Sequence, residues 1–476
     1  MSLFKILILI ISGLLIRVLF PGEKRKWALL VISIVMIFWL QPALPIRNMD
    51  FWFPVATLGV ICLTWALSSG SEQLLLRSNW LAAGLTLLTV LSIGLTRFIS
   101  LEGLVTATRP PQFHLVLLVL LGFTLITYLL VRFTPPSETL IGLGMLLLLI
   151  LFLILKTPLL SYYASLGLRN LMGQDLALTQ STDLGWLGFS YVAFRLIHTL
   201  LDKINGRLDH IELGEYLVYT IFFPAFMAGP LDRLQRFRKD LNSPQPLHSG
   251  ELLQSGERLA IGLFRKFILA DALALIALSG TNAQQVQTSG WLWVMLIAYA
   301  FQIFFDFAGY TDIAIGTGML LGFQLPENFN RPYRKPNLAQ FWNSWHMTLT
   351  QWARSYLFFP LTRALRKENK LSAPLIIFIT QMLTMLVIGL WHGVTRNFLI
   401  WGAWHGIGLF VHNRWSAFAG PKVAELTQNR ATVACFFKWG SILLTFLFVS
   451  LGWVWFALPT TSLALATFAK LFGIGS

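Results

Sequence analysis

Apolar runs long enough to cross a membrane recur along the whole of this chain, and that recurrence limits its fold more than any other feature. As a helix, roughly 20 residues span about 30 Å of hydrocarbon. Runs of that kind occupy residues 3–20, 27–46, 51–68, 80–97, 113–133, 138–156, 259–281, 290–322, 373–391, 397–413, 437–457 and 460–472. Inside lipid, every backbone N–H and C=O must be satisfied within the protein, so a spanning chain is helical or a closed barrel. The period-two alternation of a barrel is absent. With 56% of 476 residues hydrophobic and 12% charged, no stretch remains for a soluble domain of useful size. The expected fold is an all-α polytopic membrane protein of about 11–13 transmembrane helices, with re-entrant or interfacial helices besides.

The formal charge of +15 does not point to nucleic acid. Its lysines and arginines sit in short clusters between apolar runs, as topology signals do, and no nucleic-acid-binding module is present. Cys62 and Cys435 are too few and too far apart for a disulfide framework. The first run has Lys5 before it, EKRK after it and no small-residue cleavage site, so it reads as a retained helix.

Runs 27–46 to 138–156 carry little internal polarity and read as scaffold and lipid-facing shell. They set residues 1–160 apart from a candidate catalytic core at 161–476. From about Leu184 the texture changes. Arg195 and His198 lie one turn apart on one helical face. Pro224 and Gly229-Pro230 interrupt the run 213–230, whose basic flanks imply that it dips in and returns. Asp306 and Asp312 lie about 120° apart on one span and should serve separate partners. The segment 337–362 also has basic flanks and should not cross. As one helix, it gathers Leu338, Phe341, Trp345, Leu349 and Trp352 on an apolar arc, with His346 at the edge beside Asn343, Thr350 and Arg354.

A polar or ionisable group at membrane depth costs several kcal/mol unless paired or solvated, so each is a functional-site hypothesis by default. His346, His392 and His405 are the histidines in question. An imidazole can take a proton from a hydroxyl and return it to a leaving group. His392, between Trp391 and Gly393, sits where a helix-end turn would admit substrate. His405 is embedded in a regular helical run and reads as packing. The histidines are 46 and 13 residues apart with no carboxylate at ligand spacing, so no metal site is expected. There is no phosphate loop, dinucleotide fingerprint or nucleophile elbow. If acyl transfer occurs, direct attack by an acceptor hydroxyl fits better than an acyl-enzyme. Two other readings stay open at this level: a proton-coupled transporter with histidine relays, and a non-catalytic membrane subunit of an acyl-transfer complex.

FFPAFMAGP, LFRKFILAD, DFAGYTDIAIG, ENFNRPYRKPNLAQFWNSWHMTLTQWARSYLFFPL and GLWHG, in that order, together resemble the membrane-bound O-acyltransferase superfamily. The likeness is to its bacterial branch of alginate O-acetylation and teichoic-acid D-alanylation proteins, and covers about residues 185–470. It implies a tunnel to His392 as general base, with His346 shaping the cavity or placing the donor and Asn343 as polar support. Trp342, Trp345, Trp391, Arg354, Asp312, Asn330, Gly389 and Gly393 are the further candidates for its wall. The implied donor is a cytoplasmic thioester, acetyl-coenzyme A or an acyl carrier protein, with no bound cofactor. The acceptor would be a hydroxyl on an exported or envelope polysaccharide or on an extracytoplasmic partner protein, and the site of action the cytoplasmic (inner) membrane. Where relatives commonly carry Arg-Trp-His and Arg-Asp-Tyr, this chain has Ser344-Trp345-His346 and Arg354-Ser355-Tyr356.

Overall fold

The computed structural model describes residues 2–99, 103–243, 245–428 and 430–474, and every regular element among them is a helix. Seven described helices are long and apolar enough to cross a membrane: Met49–Ser68, Arg77–Phe98, Phe113–Phe133, Glu138–Lys156, Ser289–Leu320, Ala373–His392 and Ala431–Ala457. The protein is therefore all-α and multi-pass. The other expected runs are helical but differ in length. Leu3–Leu19 and Lys24–Leu40 have 17 residues each, about 26 Å of helix. The run 259–281 is divided among helix Ser249–Phe264, a π-turn Arg265–Ala270 and the short turn Asp271–Ala274. The last run shrinks to Thr461–Leu471.

Two compact units form, one from Met1–Leu259 with Ile313–Pro326 and the other from Ala260–Asp312 with Glu327–Ser476. Residues 161–259 thus group with the N-terminal helices rather than with the candidate site.

In the first unit, helices Phe113–Phe133 and Glu138–Lys156 are mostly exposed, as an outer shell should be. Helix Met49–Ser68 departs from that expectation, with two thirds of its span buried. Its first-turn Asp50 is buried and accepts hydrogen bonds from Thr108 N and Oγ1 at 2.8 Å. Buried arginines close off backbone that no helix satisfies. Arg195 donates to the carbonyls of Thr220 and Ala225 at 2.7 and 2.8 Å, across the break after helix Leu213–Thr220. His198 lies 2.7 Å from Tyr219 Oη, which donates to the Asp232 carbonyl. These partners supply the hydrogen bonds that an irregular buried segment requires.

In the second unit, helices Ala373–His392 and Arg396–Thr427 pack backbone to backbone. A Cβ on Gly389 would lie 2.3 Å from the Phe398 carbonyl oxygen, and one on Gly402 would lie 2.6 Å from that of Met385. Only glycine permits this approach. Gly389 and Gly393 therefore serve the seam with Phe398, rather than the tunnel wall expected for them.

The segment 337–362 is not one helix. It divides into Leu338–Trp342, Met347–Ala353, a π-turn Arg354–Phe358 and the start of Phe359–Lys367. The break falls at Asn343–His346, where His346 takes a left-handed φ of 42°. Asn328, from outside the segment, holds that break. Its backbone carbonyl accepts from Met347 N at 2.9 Å, and its side-chain Oδ1 accepts from Thr348 Oγ1 at 2.6 Å.

Candidate active site

His392 ends helix Ala373–His392, so its side chain stands where the helix stops rather than along its flank. Its ring is partly exposed and lies among aromatic side chains, with centroids 4.4 Å from Trp391, 4.7 Å from Phe456 and 5.5 Å from Trp401. His346 approaches from another element and is buried. Its ring meets Phe307 at 4.7 Å and the Trp391 ring at 6.0 Å. The Trp391 ring thus lies near both histidines that the sequence nominated. His346 Nδ1 lies 3.3 Å from Asn328 Oδ1, a long contact, and its buried Nε2 has no hydrogen-bond partner in the protein.

A cavity of about 170 Å³ is lined by Trp342, Asn343, Thr350, Arg354, Gln381 and Ile388 among others, and neither His346 nor His392 is one of its lining residues. Ile388 is one helical turn before His392, so cavity and histidine share a face of one helix. Arg354 donates to Asn343 Oδ1 at 2.7 Å, which fixes two of the lining side chains together. Trp342 Nε1 and Gln381 Oε1 are buried without a hydrogen-bond partner in the protein. A buried unpaired polar atom costs roughly 1–3 kcal/mol. Groups of that kind at a cavity wall suit a ligand that supplies both a donor and an acceptor.

The other nominated residues lie elsewhere. Trp345 is packed among Phe329, Phe341 and Trp453 at 5.2 to 5.7 Å and does not line the cavity. Asp312 accepts from Arg265 at 2.5 Å, and Asp306 pairs separately with Lys266. Asn330 is exposed, and its backbone N–H donates to the Ser344 carbonyl at 3.0 Å. His405 is fully buried between Trp342 and Trp401, at 5.2 and 4.9 Å, with neither ring nitrogen hydrogen-bonded in the protein. No group of three or more metal-ligating side chains occurs among the described residues.

Two residues absent from the sequence reading enter here, Gln381 and Asn328. Gln381 left a signal as the one amide in the apolar run 373–391. Thr380 and Thr384 in the same run return their hydroxyls to carbonyls one turn back, at 2.8 and 2.7 Å, a route that satisfies them locally. Asn328 left none, because its importance rests on a fold-back of 18 to 20 residues.

Comparison with known proteins bears on what such a site does. The family model for membrane-bound O-acyltransferases matches residues 137–454. The chain belongs to that family. By class it is an O-acyltransferase, and the transporter reading falls away. It is 33% identical over 305 residues to a teichoic acid D-alanyltransferase of Streptococcus thermophilus, covering 58% of this chain and 71% of that protein. It is 31% identical over 292 residues to a probable alginate O-acetylase of Pseudomonas aeruginosa, covering 61% and 52%. A peptidoglycan O-acetyltransferase of Helicobacter pylori is 34% identical over 278 residues, covering 57% and 49%. The chain thus spans about half the length of the last two.

Proposed function

We propose that this membrane O-acyltransferase moves an acyl group, acetyl in the simplest case, from a cytoplasmic thioester to a hydroxyl on an exported or envelope polysaccharide. Teichoic acid, alginate and peptidoglycan, named for the relatives, are all hydroxyl-bearing polymers, and two of the three names specify acetyl transfer. An extracytoplasmic partner protein as immediate acceptor is compatible with the same chemistry. Placement in the cytoplasmic membrane belongs to the same proposal.

The observation that carries the reading is the Trp391 ring near His346 and His392, together with a cavity that reaches Ile388 one turn from His392. In the proposed step, His392 takes the proton as the acceptor oxygen attacks the thioester carbonyl. The C–O bond forms, the C–S bond breaks, and the imidazolium returns its proton to the departing thiolate. His346, held at the Asn328 turn, positions the acyl end, while Arg354, Asn343 and Gln381 offer polar contacts to the donor arm.

The test is transfer of radiolabelled acetyl from acetyl-coenzyme A to extractable glycan in membrane vesicles of the producing cell. Wild type is compared with His392→Ala and His346→Ala at equal protein levels. Loss of a general base costs about 10²–10⁴ in rate. A fall of that order in His392→Ala supports the assignment, and undiminished labelling in that variant removes His392 from the chemistry.

A further inference from the structure

We propose a second ligand site, in the first unit, where helices Met49–Ser68, Arg77–Leu95 and Phe113–Phe133 hold part of one acyl chain of an anionic phospholipid. Between these helices lies a cavity of about 100 Å³, walled by Leu58, Cys62, Ala83, Leu87, Leu120 and Phe123 among others. Its position in the fold selects hydrocarbon over water. All three helices are long and apolar enough to cross a membrane, and Phe113–Phe133 turns Leu118, Leu121 and Leu125 outward on its other side.

The chemistry of the wall agrees. The buried polar side chains that reach it already have partners within the protein. Trp65 Nε1 donates to the Ile211 carbonyl at 2.8 Å, and Asn79 Nδ2 donates to Gln73 at 2.9 and 3.1 Å. Thr86 and Thr124 return their hydroxyls to carbonyls one turn back at 2.8 Å. A polar ligand would surrender its own hydrogen bonds on entry and find few in exchange, whereas an alkyl chain gives up none.

One end of the cavity has the character of a bilayer surface. Trp80 and Tyr128 line it there with ring centroids 6.4 Å apart, and both are exposed. Tryptophan and tyrosine collect at the boundary between hydrocarbon and headgroups. Arg77, one turn before Trp80, and Arg132, next to the lining residue Val131, are both exposed. Neither forms an ion pair with a described carboxylate. Two guanidinium groups without an ion pair among the described residues, beside an interfacial aromatic pair, suit a lipid phosphate with net negative charge.

The experiment uses the full chain in lipid nanodiscs containing phosphatidylglycerol with a diazirine on one acyl chain. After photolysis, adducts are mapped by peptide mass spectrometry. Cys62, Ala83 and Leu87 should carry more adduct than the outward-facing Leu443 and Leu444. Ala83→Phe, which fills the cavity, should remove most of the cavity adducts and leave those at Leu443 and Leu444 unchanged. Phosphatidylcholine bearing the same chain should label the cavity more weakly. Arg77→Gln and Arg132→Gln should each lower phosphatidylglycerol labelling about fivefold, the charge increment of one basic residue at a membrane surface. Cavity labelling in wild type no stronger than at Leu443 and Leu444 overturns the site, even if Ala83→Phe fails to fold. Equal labelling by the two headgroups overturns the anionic preference.

Discussion

Asn328→Ala is the perturbation that best separates the geometry of the site from its stability. Asn328 is fully buried, and its Oδ1 accepts from Thr348 Oγ1 at 2.6 Å, with longer contacts at 3.3 Å to Thr348 N and His346 Nδ1. The short bond dominates, since hydrogen bonds at 3.3 Å lie beyond the usual range. Losing it, weakening the two longer contacts and leaving a small void cost about 1–3 kcal/mol together. Part of that is offset, because Asn328 Nδ2 is itself buried without a partner and is removed as well. At about 2.1 cal/mol/K per residue, unfolding 476 residues shifts its midpoint by only about 2 °C for a 2 kcal/mol loss. Thermal unfolding is therefore a blunt reading.

The transfer rate is the sharper one. His346 sits in a left-handed conformation that costs a non-glycine residue about 1–2 kcal/mol, and the Asn328 contacts help to maintain it. With them gone, the ring shifts, and a displacement of about 1 Å can cost about 10²-fold in rate. Asn328→Ala should lower transfer about 10- to 100-fold, while Asn328→Ala combined with His346→Ala should be no slower than His346→Ala alone. Independent sites would instead multiply their effects. Multiplicative losses in the double variant would refute the argument that Asn328 acts through His346.

Three further outcomes follow from other contacts. Gly402→Ala should destabilise the second unit by about 1–3 kcal/mol in thermal unfolding, because the new methyl meets the Met385 carbonyl and Leu386 Cα, which are backbone and cannot rotate away. His405→Leu should keep transfer within about threefold and stability near wild type, since neither ring nitrogen is hydrogen-bonded and an apolar side chain of similar size forfeits no bond. Asp183→Asn should cost about 3–5 kcal/mol, read by denaturant unfolding, because it breaks a buried pair with Arg169 at 2.8 Å. Burial alone would raise the Asp183 carboxyl, but hydrogen bonds from Arg169, Ser165 and the Gln180 backbone outweigh it and hold the group below 3.8. A depressed carboxylate contributes stability above its unfolded value and loses it as pH falls through the folded one. The Asp183 contribution should therefore be complete at neutral pH and vanish only below about pH 4, and Asp183→Asn should flatten that acid limb.

Helix formation could be foreseen because apolar length is a local property of the chain: Ala373–His392 follows the run 373–391 closely, while Ala431–Ala457 ends with the run 437–457 but begins before it. Burial was harder to foresee. Helix Met49–Ser68, with a mean hydropathy of 1.7, is less apolar than Phe113–Phe133 and Glu138–Lys156, at 2.4 and 2.6, and it lies inside the folded unit while they lie outside. Hydropathy follows that difference only in part, since Arg77–Phe98, at 1.6, is just one third buried.

The site divides on the same line. GLWHG announces a histidine at a helix end, and the structure places His392 at the last position of its helix. The stretch LAQFWNSWHMTLTQWA, in contrast, has a coherent helical period across a real break, and that period put Trp345 on the same face as Trp352. Hydrogen bonds donated to Asn328 by Met347 and Thr348 hold the break at Asn343–His346, while Ser344 donates back to the carbonyls of Gln340 and Phe341 at 2.8 and 2.9 Å. Periodicity records which side chains favour burial, but it holds no information on which backbone groups a distant segment will satisfy. That is why the nominated histidines meet near Trp391 while Trp345, Asp312 and Asn330 fall elsewhere. It also sets the next place to look. A residue that interrupts a strong pattern without a local hydrogen-bond outlet, as Gln381 does and Thr380 does not, is a better guide to this cavity than another aromatic on the arc. Gln381→Leu should accordingly raise the donor concentration needed for half-maximal transfer while leaving the fold intact, and an unchanged requirement would place Gln381 outside the donor path.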